Sequence, residues 1–452
     1  LLLYNFTMKK YYLESFGCQM NISDSETIAG YLATMDLERT LNIADADLVF
    51  FHTCCVRDSA ESKIVGRIGE TIHLKEKKKD LIVVISGCMM QQPGAAELLS
   101  KKFPHIDLMI GTSNLSSIQD LLEQLIRNKD KKNKFQKTQI ECFNELNSKF
   151  NENDDVLRSS WPNAWVPIIK GCNNYCSYCI VPYVRGPEIS RIPENIINEV
   201  HHLLKNNYKE ITLLGQNVNS YGNDLNSDWT FTKLIESISN YDYKYRVRFM
   251  TSHPKDLSQD LIEAIAKNNM VSKHIHLPIQ AGSDKVLRLM NRKYTQEKYM
   301  NLLTNIKNQI PGVSITTDVM VGFPGETEDD FLETMDVINK AQFHNAYMFV
   351  YSQRKGTPAA SMPNQISRLE KMDRISRLIK LQNSISCEIS KKYLNTTYEV
   401  LVDNMISGEI YCGRTDNGRL VKFKAKDSNI IGSFVNVKIN YNKGSSLWGD
   451  II

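Results

Sequence analysis

Apolar residues in the first 125 positions come in short runs separated by helix-length amphipathic stretches: KYYLESFG at 10–17, DLVFFHT at 47–53, LIVVISG at 81–87 and IDLMIGT at 106–112. Runs of this length alternating with helical periodicity predict a parallel α/β domain over residues 8–125. The next stretch, 126–157, is rich in Lys, Asn, Gln and Glu and has too little apolar periodicity for a core, so it reads as a linker, in part helical. From 158 to 390 six further runs follow, WVPIIKG, EITLLGQ, YRVRFMTS, KHIHLPIQ, SITTDVMVGF and NAYMFVYS, most of them followed by an amphipathic segment. Six strand-helix repeats predict a partial (β/α)6 barrel. After a charged helix the period switches to 2 in TYEVLVD, EIYCGRT, RLVKFKA, SFVNVKINY and SLWGDII, which predicts a small antiparallel β-barrel of OB-like size over 391–452.

The 452 residues suit about three such units. No apolar run reaches the roughly 20 residues of a membrane-spanning helix, and the opening LLLYNFT lacks the basic start and small-residue cleavage site of a signal peptide. Met8 reads as the natural start, and a cytoplasmic, monomeric protein with no membrane partner is expected. A net charge of +4 neither demands nor excludes a nucleic-acid partner. Ten cysteines without an export signal imply thiols kept for metals or catalysis.

Cys172, Cys176 and Cys179 form C-x3-C-x2-C directly after the first barrel run. Three thiolates on one loop can hold three corners of a cubic iron-sulfur cluster and leave one iron open to a small molecule. A zinc knuckle is the alternative, but it needs a fourth ligand, and no further Cys or His lies nearby. Cys18, Cys54 and Cys88 each follow an apolar run of the first domain. In a parallel sheet those run ends share one edge, so the three thiols can converge on a second cluster; the bland alternative is three buried small hydrophobes. Cys55 adjoins Cys54, and strand phase alone does not say which of the pair points to the site. Cys142, Cys387 and Cys412 have no partner at metal spacing and read as structural.

The loop, with Tyr178 just before its last Cys, resembles the radical S-adenosylmethionine superfamily, and the chain from Lys9 to Ile452 resembles the methylthiotransferases within it, of the MiaB type. The text that carries this is SFGCQMN, HTCCVRDSA, GCMMQ, VPYVRG and HLPIQAGSDKVLRLMNRKYT, with GQNVNSY at 215–221 and TSHP at 251–254 for the subgroup. The resemblance implies a methylthiotransferase domain, a radical core and a TRAM domain. It also implies two [4Fe-4S] clusters and S-adenosylmethionine as methyl donor and as source of a deoxyadenosyl radical, together with an electron donor and a sulfur source. The implied substrate is N6-dimethylallyladenosine beside the anticodon in the tRNA stem-loop, with threonylcarbamoyladenosine tRNA or a ribosomal-protein aspartate as alternatives. A non-catalytic iron-sulfur RNA-binding protein is the reading from another class.

Tyr178 and the rim residues Gly215, Gln216, Asn217, Ser252 and Gln280 are the candidates for contacting S-adenosylmethionine. Arg185 and Glu188 either line a substrate pocket or form a surface ion pair. In the last domain Arg414, Arg419, Lys422 and Lys424 are candidates for phosphate contact, with Lys426 beside them and Tyr411 and Phe423 interleaved for stacking on unpaired bases. The bland alternative is the solvated face of a strand.

Overall fold

The computed structural model describes residues 8–55, 58–130, 138–142, 150, 156–426 and 429–452, apart from the side chains of 58–62 and 128–130. Two compact units result: one takes the chain to Ser159 with Lys170–Asn173 and Ile180–Ile189, the other takes Ser160–Ile169, Asn174–Cys179 and Ser190–Ile452.

In the first unit the chain runs β1 (Lys10–Ser15), α1 (Gln19–Thr34), β2 (Glu38–Arg39), β3 (Leu48–Thr53), α2 (Asp58–Lys77), β4 (Ile82–Gly87), α3 (Ala95–Lys102), β5 (Leu108–Ile110), α4 (Ile118–Asp130) and β6 (Gln139–Glu141). The strands form one sheet, β2-β1-β3-β4-β5-β6, in which every pair is parallel. Alternate residues face opposite sides, so each central strand feeds two cores. Leu48, Phe50, Ile82 and Val84 pack with Ile28, Leu32 and Leu122 of α1 and α4, while Val49, Phe51, Val83 and Ile85 pack with Ile64, Ile68 and Leu99 of α2 and α3. Burial on both faces is why these strands read as unbroken apolar runs. The four expected strands are β1, β3, β4 and β5. The stretch read as a linker contains the end of α4 and the polar edge strand β6, which no hydrophobic pattern marks. Residues 131–137, 143–149 and 151–155 of that stretch, and the seven residues before Met8, lie outside the described residues.

The cysteine-bearing stretch carries two-residue strands β8 (Ile169–Lys170) and β9 (Ile189–Ser190) around α5 (Val181–Arg185), just after β7 (Asn163–Pro167). The second unit continues with α6 (Pro193–Lys205), β10 (Glu210–Leu214), α7 (Phe231–Ile238), β11 (Arg246–Phe249), α8 (Gln259–Lys267), β12 (His274–His276), α9 (Asp284–Leu289), α10 (Gln296–Gln309), β13 (Ser314–Val321), α11 (Glu328–Ala341), β14 (Asn345–Val350) and α12 (Arg368–Lys391). All six expected barrel strands are present. They form two parallel three-stranded sheets, β11-β10-β7 and β12-β13-β14, joined by the bridge between Val247 and Val271, so the barrel is open. Capping boxes of Thr327 with Asp330 and of Ser367 with Glu370 start α11 and α12.

Strands β15 (Thr397–Ser407), β16 (Ile410–Thr415), β17 (Leu420–Lys424), β18 (Phe434–Lys443) and β19 (Ser446–Ile451) close a barrel in the order β15-β16-β17-β19-β18. The pairs are antiparallel except β17 with β19, the parallel seam of the closure. Buried arginines of β11 hold this barrel to the core. Arg246 donates to the carbonyls of Arg414 at 2.6 Å and Glu399 at 3.1 Å, and Arg248 to Thr415 O at 2.8 Å and Ser272 Oγ at 2.7 Å. Asn417 Nδ2 donates to Gly312 O at 3.1 Å. These contacts fall at the N-terminal ends of the core strands. Among the described residues no helix is long and apolar enough to cross a membrane.

Arg248 is paired with Glu210, and both side chains are buried. Removing one partner of such a pair costs roughly 3–5 kcal/mol because the other charge stays in the interior. Glu210→Leu should therefore lower the thermal unfolding midpoint clearly, and the double variant Glu210→Leu with Arg248→Met should recover part of the loss. A double variant less stable than the single one would show that the bonds to Ser272 and Thr415, not the ion pair, dominate.

Candidate functional site

The strand order 2-1-3-4-5 of the first sheet reverses between β1 and β3, and ligands of such sheets bind outside the strand ends at that switch point. Cys18 follows β1 and Cys54 follows β3, one on each side of it, and Cys88 follows β4. Glycines set the approach of these ends. Gly17, at φ +125°, has its missing Cβ 2.4 Å from Cys54 Cβ, and Gly87, at φ +104°, has its own 2.2 Å from Thr53 O. Only glycine lets the three ends draw this close.

The thiols interact. A hydrogen bond with Cys54 holds Cys18 down to about 5 against the opposing effect of burial, with the charge of Arg185 adding to it. A hydrogen bond with Cys55 and the charge of Arg185 likewise hold Cys88 at about 7, while the same bond and burial push Cys55 well up. Thiolates are the form that binds iron. Cys55 is buried with Cys88, Ile180 and Val184 in a small cluster of its own. Among the described residues no three His, Cys, Asp or Glu side chains are gathered tightly enough to hold a single metal ion.

Arg185 pairs with Asp24 and not with Glu188. It is buried, donates to Asp24 Oδ2 at 2.7 Å and to Asn21 Oδ1 at 3.2 Å, and sends Nε–H to Cys88 Sγ at 3.2 Å. Burial alone would raise the Asp24 carboxyl, but Arg185 and then His52 bring it to about 2. Glu188 offers its backbone N–H to Asn173 Oδ1 at 3.2 Å. Cys172 N–H donates to Gly186 O at 3.1 Å.

In the second unit Cys176 accepts an N–H from buried Arg292 at 3.4 Å, and Cys179 N–H donates to Cys176 O at 2.9 Å. Arg292 is fixed by Tyr294 at 2.9 Å and by Pro278 O at 3.0 Å. Tyr178 is partly buried against the barrel core. The rim candidates lie at the C-terminal strand ends, the catalytic end of such barrels. Val218 N–H donates to Thr251 O at 3.1 Å and Asn217 Nδ2 to Asp256 at 2.7 Å. Gly215 packs its Cα side on Ile169, where a Cβ would meet Cγ2 at 2.4 Å. Thr251 and Gln280 hold φ near +70°, strained for any residue with a side chain and most of all for a β-branched one. Gln216 Oε1, Asn217 Oδ1, both amide atoms of Asn219 and Ser252 Oγ are buried without a hydrogen-bond partner. Each such group costs roughly 1–3 kcal/mol unless something satisfies it. A polar ligand with amino, carboxylate and hydroxyl groups fits this rim, as S-adenosylmethionine would.

The RNA candidates divide. Lys424 and Arg414 are exposed and Lys422 is half-buried. Arg419 is corrected: it is buried, donates to Ser390 Oγ at 2.6 Å and Ser445 O at 3.0 Å, and lies over Tyr393, so it fastens the barrel to α12. Tyr411 and Phe423 are also corrected, because they stack on each other inside the barrel at 6.4 Å. The accessible aromatic pair is Tyr441 on Trp448, ring planes 9° apart at 5.7 Å, with Lys422 Nζ 5.5 Å from the Trp448 ring. Sequence reasoning missed that pair along with Arg292, Asp24 and His52. The Tyr441–Trp448 pair joins two strands with no shared local pattern, and 116 residues separate Arg292 from Cys176.

Residues 166–338 match the radical SAM superfamily, 10–111 the family described as uncharacterized protein family UPF0004, and 391–452 the TRAM domain. The radical S-adenosylmethionine methyltransferase TsrM from Kitasatospora setae superposes with a TM-score of 0.59 over 88% of this chain and 81% of that one, at 12% identity, a likeness of fold. Fold and rim thus define a radical SAM chain with an N-terminal α/β domain and a TRAM barrel. The tRNA-2-methylthio-N(6)-dimethylallyladenosine synthase of Acetivibrio thermocellus is 47% identical over 98% of this chain and 91% of its own, and that of Clostridium botulinum strain Langeland 46% over 99% and 98%. The chain belongs to the family of these synthases.

The Gly87 contact is testable against Gly94, which also has positive φ but open space around it. Gly94→Ala should cost roughly 1–2 kcal/mol, the backbone strain alone. Gly87→Ala adds a clash with Thr53 worth roughly 1–3 kcal/mol more. Denaturant unfolding of both variants decides, and equal losses would mean that the strand ends can part without cost.

Proposed function

We propose that this chain methylthiolates C2 of N6-dimethylallyladenosine beside the anticodon of tRNA, as a cytoplasmic enzyme that draws on an electron donor and a sulfur source. What supports the reading is that Cys18, Cys54 and Cys88 follow β1, β3 and β4 of one parallel sheet, in a chain whose relatives over nearly its whole length are synthases of this product. Cys172, Cys176 and Cys179 would hold one [4Fe-4S] cluster, and the N-terminal trio a second. Bound there, the clusters and S-adenosylmethionine supply the electron, the radical, the methyl group and the route for sulfur.

The protein's own share is binding and aim. Arg292 gives Cys176 a charged N–H partner and is itself locked by Tyr294 and Pro278. Gln216, Asn217 and Ser252 offer unpaired polar atoms for S-adenosylmethionine, and strained Thr251 and Gln280 shape the rim around them. For the RNA, Lys422, Lys424 and Arg414 supply charge, and the Tyr441–Trp448 stack supplies a flat surface for an unpaired base.

Anaerobically purified protein should hold roughly eight irons, four per cluster. Replacing Cys172, Cys176 and Cys179 with Ala should halve the iron and abolish deoxyadenosine formation. Replacing Cys18, Cys54 and Cys88 should also halve the iron, keep deoxyadenosine formation and abolish the methylthio product in nucleoside mass spectrometry of tRNA. Stoichiometric zinc, or product from the N-terminal triple variant, would refute the assignment. Product on a ribosomal protein or on threonylcarbamoyladenosine would shift it to a sister activity.

Phosphate contact by Lys422 and Lys424 predicts that tRNA affinity falls with salt and that each Lys→Ala change flattens the slope of log K against log salt by about one. Trp448→Ala should weaken binding several-fold with little change in slope. Unchanged slopes and affinities across this series would leave these residues as a solvated barrel face.

A further inference from the structure

Several polar contacts beside the N-terminal thiols meet at one guanidinium. Arg185 Nη2 is held by Asp24 at 2.7 Å and Asn21 at 3.2 Å, which fixes the planar fork so that Nε–H points at Cys88 Sγ, 3.2 Å away. Asn21 in turn donates to Phe16 O at 3.0 Å and Thr53 O at 2.8 Å, the backbone just before Cys18 and Cys54. Asp24 lies 3.4 Å from His52 Nε2, and His52 Nδ1 meets Ser86 Oγ at 2.7 Å, two residues before Cys88. The side chain of Arg185 is 10% exposed and that of His52 fully buried.

A buried ion pair with Asp24 would serve stability alone, and a lysine could make it. The extra N–H to sulfur is what only the fork provides. Hydrogen bonds to cluster sulfurs and nearby positive charge stabilise the more negative, reduced state and so raise a cluster's potential. We propose that Arg185 is a positioning residue that sets the reduction potential of the cluster held by Cys18, Cys54 and Cys88, through its N–H to Cys88 and its charge. The inference rests on the two-cluster reading above. It also gives a physical role to the segment following Cys179: the same short stretch that supplies the radical-core thiols supplies, six residues on, the donor to the other trio.

The test uses the full chain with Cys172, Cys176 and Cys179 replaced by Ala, so that only the N-terminal cluster can be present. Iron is measured first, then the one-electron midpoint by titration with dithionite and mediators, followed by electron paramagnetic resonance. Arg185→Gln should keep its iron and shift the equilibrium against the reduced cluster at least tenfold, about 59 mV downward for one electron. Arg185→Lys, which keeps the charge but not the fork, should fall between Gln and the parent. An unchanged midpoint in iron-replete Arg185→Gln overturns this inference alone, whereas an iron-free parent overturns it together with the two-cluster reading. Loss of iron from both Arg185 variants, with unfolding like that of the parent, overturns the tuning role in favour of a scaffold role.

Discussion

Parallel strand direction is the constraint on which the rest of this molecule depends. A parallel sheet sends every strand-to-helix turn to one edge, so residues remote in sequence become neighbours there without any local motif. Cys18, Cys54 and Cys88 are separated by 36 and 34 residues and still share the end of one sheet, two of them flanking its switch point. The same rule in the core strands gathers Gln216, Ser252 and Gln280 on one rim. The local price at these edges is backbone strain, visible at Thr251 and Gln280, and close contacts that only Gly17 and Gly87 permit.

Arginines do much of the internal fastening. Arg185, Arg292, Arg246, Arg248 and Arg419 are all buried or nearly so, and each divides its donors among several partners. A planar fork with a permanent charge can satisfy a carbonyl, a carboxylate and a thiol in one plane, which a single ammonium cannot. Two of these arginines address cysteines, one in each trio, and each has other donors held by fixed partners, so the N–H offered to sulfur has little freedom to turn away.

The legible part of the sequence was the part governed by periodicity. Four strands of the first sheet, six of the core and five of the small barrel announce themselves because burial on one or both faces fixes their spacing. The cysteines announce themselves by standing at the ends of those runs. Edge strand β6 did not, because a strand with one neighbour and two half-wet faces needs no apolar pattern. Arg419 and Lys422 both read as cations on a strand, yet one closes a buried junction and the other lies beside Trp448 at the surface. Alternation along LVKFK puts Phe423 on the face opposite Lys422 and Lys424, and Tyr411 sits across from it, so the reading that interleaved these rings with the lysines overlooked the period itself. Asp24 and His52 were silent because a polar residue matched to a buried arginine carries no period at all.

The barrel's docking also separates two tasks along the core strands. Arg246, Arg248, Ser272 and His344 meet it at the strands' beginnings, while the polar rim lies at their ends. The longest of these, β13, has eight residues and so spans roughly 26 Å at about 3.3 Å each. Under the proposed function, charge and stacking on the barrel act through how long an RNA stays bound and not through the polarity around the reacting atoms. A small domain with exposed lysines can thus sit on a chain whose rim keeps buried polar atoms unpaired for a ligand. The two demands are met at opposite ends of the same strands, and the buried arginines of β11 join them.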